Sequence, residues 1–311
     1  MAERRSVAAD VVGSTPTSRP NNLLIDRSCR TSTESILPPS SNIPKPLQPT
    51  VGEVAAADSI VAPMVTAIYA GTSGWAYPSW KPVFYPAGLL AKRFLEHYAS
   101  RLSSVEVNYT FRAFPTATTL AGWLAATPAD FRFSFKAPQR ITHFSRLREC
   151  HEPVGRFVDV LEPFRAAGKL GPLLFQLPPN FKANPVLLAD FLSAPALAGP
   201  AAPLIAFEFR HDSWFAEETY AILRLHNVAV CIAESDESRT PDVQCASTHA
   251  CYRLRRNGGY SPAEITAFAE KFLALAENRN VYVYFKHEDE PTGALNAVAF
   301  LDACAVKAGK Q

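Results

Sequence analysis

From residue 65 onward the sequence alternates short apolar runs with longer amphipathic segments, and no other feature restricts the fold as much. Eight runs read as strands: Ile68–Gly71, Ser104–Asn108, Arg132–Lys136, Pro172–Leu177, Leu204–Phe209, Val228–Ala233, Ala250–Leu254 and Val281–Phe285. Helix-length stretches lie between and after them, at Leu89–Leu102, Thr116–Ala126, Pro153–Ala167, Pro185–Leu192, Ala216–His226, Pro262–Asn278 and Ala294–Val306. In the first, Leu90, Phe94, Leu95, Tyr98 and Leu102 recur at helical spacing. Pro153, Pro185 and Pro262 stand where a first helical turn accepts proline, and Glu217, Glu218 and Glu264 put negative charge near helix starts. Such alternation predicts a parallel sheet. Eight units within residues 64–311 predict the α/β class and a single (β/α)8 TIM-type barrel. An open, doubly wound sheet is the competing architecture. No G-x-G-x-x-G follows any strand, and the nearest match, Gly71-Thr72-Ser73-Gly74, has the wrong spacing.

Residues 1–63 differ from the rest. Ser, Thr, Pro and Asn dominate, and no aromatic occurs before Tyr69. Such a segment buries too little apolar surface to offset chain entropy, so a disordered N-terminal extension is expected, one that translation from Met64 would omit. No apolar run reaches the ~18 residues of a membrane helix. Arg4 and Arg5 are not followed by the apolar stretch of a secretory signal. The six cysteines show no C-x-x-C spacing and read as reduced thiols of a cytoplasmic protein. Lys and Arg number 31 against 29 Asp and Glu, a net charge of +2, which argues against a strongly basic nucleic-acid coat but not against a local patch.

Barrel strands show one face to the helices and the other to the lumen. In Arg132–Lys136 the two Phe share one face, and Arg132, Ser134 and Lys136 the other. The same split puts Glu208 and Arg210 opposite Phe207 and Phe209, and Leu174 and Gln176 opposite Leu173, Phe175 and Leu177. Glu106 and Asn108 share a face, as do Tyr282, Tyr284 and Lys286. With the apolar faces against the helices, the polar groups converge on the C-terminal mouth, where this fold carries its active sites. Buried charges need partners, so Glu106 and Glu208 are expected to pair with Lys136, Arg210 or Lys286. Trp75, Tyr77, Trp80, Tyr109, Phe111 and Trp214 crowd the same end, either as a stacking wall or as packing for the loops.

These residues carry a resemblance. Tyr69-Ala70-Gly71-Thr72-Ser73-Gly74-Trp75, Phe84-Tyr85-Pro86, Val105–Asn108, Phe131–Pro138 with Ile141-Thr142-His143, Gly171–Pro179, Phe207–His211 with Trp214, and Tyr282–Asp289 occur in order. Together they resemble the domain of unknown function 72, or YecE-like, family over roughly residues 67 to 305. The resemblance implies a TIM-type barrel and no particular reaction. Where the family often shows Arg-Leu-His-Gly after the seventh strand, this chain reads Arg253-Leu254-Arg255-Arg256-Asn257-Gly258, a more cationic run.

The chemistry that best fits the pocket is an enzyme of hydrolase or lyase type acting on a small anionic substrate, phosphorylated or carboxylated. Glu208, Lys136 and Glu106 are the catalytic candidates, with Glu208 as acid or base. Asn108, Gln176, Arg210, Lys286, Trp75, Tyr109 and His211 are the substrate-binding candidates, with Arg253 or Arg255 as further anion ligands. A glycosidase-like use of Glu106 and Glu208 is a weaker reading. A metal-dependent, endonuclease-like phosphodiesterase using His143, His211 and His287 is another, although no H-x-H or H-E-x-x-H spacing occurs and no metal ligand or cofactor is assigned. A non-catalytic nucleic-acid-binding barrel, using Arg253, Arg255, Arg256, Arg140, Arg146 and Arg148 with aromatics between, is the alternative from a different class.

Overall fold

Each of the eight apolar runs forms a strand in the computed structural model, which describes residues 67–237, 239–286 and 290–309. The strands are β1 (Ile68–Thr72), β2 (Ser104–Val107), β3 (Arg132–Lys136), β4 (Leu170–Gln176), β5 (Ile205–Glu208), β6 (Ala229–Glu234), β7 (His249–Leu254) and β8 (Asn280–Phe285). All pair in parallel, in the order β1-β8-β7-β6-β5-β4-β3-β2, giving a nearly closed barrel. The helices are α1 (Phe94–Ala99), α2 (Ala117–Ala125), α3 (His151–Val160), α4 (Glu162–Ala166), α5 (Pro185–Leu192), α6 (Glu217–Leu225), α7 (Pro262–Ala276) and α8 (Thr292–Ala308). The expected extension, residues 1–63, lies outside the described residues. No helix among the described residues is long and apolar enough to cross a membrane.

Local chemistry sets these boundaries. Pro185 and Pro262 open α5 and α7 behind Asn184 and Ser261, whose side chains accept from Leu187 N and Glu264 N. Ser261 and Glu264 make a reciprocal capping box. The stretch expected as one helix over Pro153–Ala167 is two, because Pro163 opens a new first turn in α4. Alternation also fails once. No helix occurs between β6 and β7 among the described residues. That segment, from Ser235 to Thr248, contains Pro241 and is mostly polar, with no helical apolar stripe.

The two strand faces build two shells. Phe133, Phe135, Phe175, Phe207 and Phe209 point outward into the main core. They pack on helix and loop aromatics, with ring centroids 5.0 Å apart for Phe135–Phe164, 5.2 Å for Phe175–Phe191 and 4.8 Å for Phe209–Trp214. A second cluster fills the lumen, drawn from Leu174, Ala206, Cys231, Cys251, Tyr282 and Tyr284. The Tyr284 hydroxyl shares hydrogen bonds with Ser104 Oγ at 2.8 Å and Ser134 Oγ at 2.6 Å, so its polar end is satisfied inside the barrel. Trp80 and Trp214 are fully buried, which makes them packing residues rather than a stacking wall.

The β1–β2 seam closes through a side chain. The Tyr98 hydroxyl, from α1, accepts from Thr72 N at 2.7 Å and donates to Ser104 O at 3.0 Å. Ser103 N also donates to Ala70 O at 3.2 Å. Gly71 permits the approach, since a Cβ there would sit 1.8 Å from Ser104 O. Tyr98→Phe should leave a buried donor and acceptor unpaired and cost about 1–3 kcal/mol in urea unfolding. A change within the error of the midpoint would mean that the hydroxyl does not hold the seam.

Candidate functional site

The lumen-facing residues at the ends of β2, β3, β4, β5 and β7 form one buried polar cluster. At its centre is Arg253 of β7, whose side chain is 3% exposed. Its Nη1 donates to Glu208 Oε2 of β5, and its Nη2 donates to Glu106 Oε1 of β2 at 2.7 Å. Both carboxylates are 1% exposed. Arg253 Nη2 also reaches Ser73 Oγ at 3.5 Å. Glu208 Oε1 accepts from Gln176 Nε2 at 2.8 Å and from Arg210 Nε at 2.9 Å. Lys136 Nζ donates to Gln176 Oε1 at 2.8 Å, and its charge sits 4.3 Å from the centre of the Phe111 ring. Asn108 Nδ2 donates to Ser73 O at 3.1 Å. Two sealed atoms, Glu106 Oε2 and Arg253 Nε, have no hydrogen-bond partner among the described residues.

The expected pairing of buried carboxylates with cations therefore exists, but the principal partner is Arg253. The sequence offers Arg253 as a ligand for a substrate anion or for nucleic-acid phosphate, and not as a partner of Glu106 and Glu208. Sealed between two glutamates, Arg253 is their counter-ion. Strand alternation held the signal: Cys251 lies in the lumen cluster, so Arg253, two residues on, shares its face, while Tyr252 and Leu254 pack in the outer core. The same guanidinium lies between Glu106 and Glu208, the two carboxylates of the glycosidase-like reading.

This electrostatics divides the candidate catalysts. Burial alone would raise the Glu208 carboxyl, but the charges of Arg253 and Arg210 and the hydrogen bonds they donate outweigh it and hold the group at about 2. Glu208 is thus ionised throughout the neutral range, where an acid or base needs a group that titrates. Burial, helped by Arg253 and opposed by Glu106 and Glu208, brings the Lys136 ammonium down to about 8. Burial and the Arg253 charge also act against the Arg255 cation and lower it.

Beside the cluster opens a cleft of about 460 Å³. Of the candidates, Glu208, Arg210 and Lys286 border it, with Arg255 and Asn257 beside them and Asp236 and Glu237 from the β6–β7 connection. The Lys286 ammonium is bonded to Asn257 Oδ1. Glu106, Lys136, Asn108, Gln176, Trp75, Tyr109 and His211 do not border it. Half-buried Trp75 packs edge-on to Trp123 at 5.2 Å, Tyr109 is 58% exposed, and His211 Nδ1 accepts from Ser213 N at 3.2 Å. His143 bonds Thr142 Oγ1 at 2.9 Å, and His287 lies outside the described residues. Among the described residues, no three His, Cys, Asp or Glu side chains gather as metal ligands.

Two outcomes follow from this arrangement. Arg253→Ala strands two buried carboxylates and should lower stability by about 3–5 kcal/mol in denaturant unfolding; a loss under about 1 kcal/mol would contradict the cluster's role. For Lys136, whose folded value of about 8 lies below the ordinary 10.5, the unfolded chain binds a proton that the folded one does not between those values. Stability from this group is therefore fully present above about 10.5 and lost as pH falls towards 8. The urea midpoint of the wild type should rise over that interval relative to Lys136→Met, and parallel profiles would refute the depressed value.

The profile of the family described as "Protein of unknown function DUF72" matches residues 69–311. The UPF0759 protein YecE of Escherichia coli K12 is 32% identical over 152 residues, covering 48% of this chain and 51% of that protein. The UPF0759 protein YunF of Bacillus subtilis 168 is 30% identical over 157 residues, 49% of this chain and 54% of its own. The matched stretch thus spans about half the length of these relatives. A crystal structure of a DUF72 family protein from Thermotoga maritima MSB8 superposes with a TM-score of 0.66 at 28% identity, covering 76% of this chain and 98% of that one. One from Enterococcus faecalis V583 superposes at 0.62 with 18% identity, covering 76% and 95%, and shares the fold. Barrel, motifs and profile agree: the chain belongs to the DUF72 family.

Proposed function

We propose that the chain is an enzyme, of hydrolase or lyase type, whose small substrate carries a phosphate or carboxylate bound in the cleft at the C-terminal barrel mouth. The observation that carries this reading is Arg255. It is half-buried, borders the cleft and, among the described residues, has no side-chain hydrogen bond or ion pair. A desolvated cation without a counter-ion is costly, and an arriving anion removes that cost. Arg210 supports it: its Nε is bonded to Glu208, while its side chain is 43% exposed on the same wall. Lys286 adds a third cation at the edge.

In this reading Glu208 is a permanent anion that orients Arg210. Lys136, the catalytic candidate that titrates nearest neutrality, stands behind the cleft wall, joined to Glu208 through Gln176, and sets the charge of the cluster without touching the substrate. Asn108 and Gln176 hold the cluster in register through their bonds to Ser73 O, Lys136 and Glu208. Thermal unfolding with sugar phosphates, nucleoside monophosphates, dicarboxylates and neutral sugars tests the proposal. A ligand at 100 times its dissociation constant adds about 2.7 kcal/mol, equivalent to a rise of roughly 5–10 °C. Such a rise should come from an anionic class only and vanish in Arg255→Ala. Equal rises from neutral sugars, or a rise that survives Arg255→Ala, would overturn it.

A further inference from the structure

A second face of the barrel mouth, which shares no lining residue with the cleft, combines two features. The loops after β2 and β3, residues 108–116 and 137–150, contain Arg112, Arg140, Arg146 and Arg148 against a single carboxylate, Glu149. They pack on each other, with the Phe111 and His143 rings 5.0 Å apart edge to face. Between them and α3 lies a cavity of about 260 Å³ bordered by three arginines, Arg112, Arg140 and Arg156, and one carboxylate, Glu152. The guanidinium groups of Arg112 and Arg140 make no hydrogen bond or ion pair among the described residues, although the backbones of both residues are bonded. Arg156 has only Glu152, 3.8 Å away with both side chains largely exposed, a weak pairing. The same two loops hold Tyr109 and Phe144 at 58% and 72% exposure, with Phe114, 37% exposed, at the cavity edge.

We propose that this rim binds single-stranded nucleic acid, with phosphates on Arg112, Arg140 and Arg156 and bases stacked on Tyr109 and Phe144. Unpaired arginines beside exposed aromatic rings are what a strand with anionic links and flat bases requires. A duplex hides its base faces, and an acidic peptide matches the charges but has no planar groups for the rings. The inference goes beyond the cleft reading and does not depend on it.

Fluorescence anisotropy of the full chain with labelled oligo-dT and oligo-U of about 10 nucleotides tests it. Affinity should fall linearly as salt rises on logarithmic axes. The double variant Arg112→Ala/Arg140→Ala should reduce the magnitude of that slope by about 1.4, at about 0.7 per lost phosphate contact. Phe144→Ala should weaken binding about 5- to 150-fold, the loss for one stacked base, with the slope unchanged. A preference between the two oligomers tells RNA from DNA, and either supports the proposal. Absence of binding at low salt would overturn it, as would an unaltered affinity in Phe144→Ala or equally tight binding of poly-glutamate or heparin. Arg255→Ala separates the two readings: full oligonucleotide affinity there, with loss in the rim variants, supports the rim whatever becomes of the cleft.

Discussion

A single guanidinium, that of Arg253, lies between two carboxylates that have almost no contact with water, and the barrel mouth is arranged around it. Two glutamates pointing into one lumen would repel each other and go unsolvated. With Arg253 between them, each has a charge-assisted hydrogen bond, and Glu208 gains two more from Gln176 and Arg210. The partners come from β2, β4, β5 and β7, so the cluster joins strands that are not all neighbours in the sheet. A buried ion pair is not in itself evidence of stability. Here it defines which cations are neutralised and which are not.

Arg253, Arg255 and Arg256 come almost consecutively in sequence, yet they meet three different fates. Arg253 is sealed inside. Arg256 turns outward to Glu234, at 2.7 Å, and to Glu264. Arg255 is left on the cleft wall with no side-chain hydrogen bond or ion pair among the described residues. Strand alternation separates the first and last of these, and the end of β7 releases Arg255 towards the mouth. Beneath them the lumen is filled by Leu174, by alanines and cysteines and by two tyrosines, with the polar layer above.

Much of this was legible in the sequence. Period-two alternation in Arg132–Lys136 and Phe207–Arg210 told lumen from exterior, because a pleated strand cannot place neighbouring side chains on one face. Strand existence was clear since each run is apolar and bounded by turn residues. The centrality of Arg253 was less visible: an arginine among three reads as a loop cation until the closed sheet brings β7 across from β2 and β5. The helix-free β6–β7 connection shows the limit of extending an alternation past a segment with no apolar stripe. Trp80 and Trp214 illustrate another ambiguity, because an aromatic near a strand end looks the same in sequence whether it lines a site or packs a loop. Here both are buried, while Tyr109 and Phe144 are exposed.

Arg253 and Arg210 hold Glu208 as a permanent anion within the cluster. Carbon-13 NMR titration of the Glu208 side-chain carboxyl, assigned by comparison with Glu208→Gln, tests it most directly. The carboxyl should remain ionised across the folded range and titrate at about 2, below the ordinary 4.5. A titration at or above 4.5 would show that burial outweighs the guanidinium charges, and the cluster would not be the fixed electrostatic frame described.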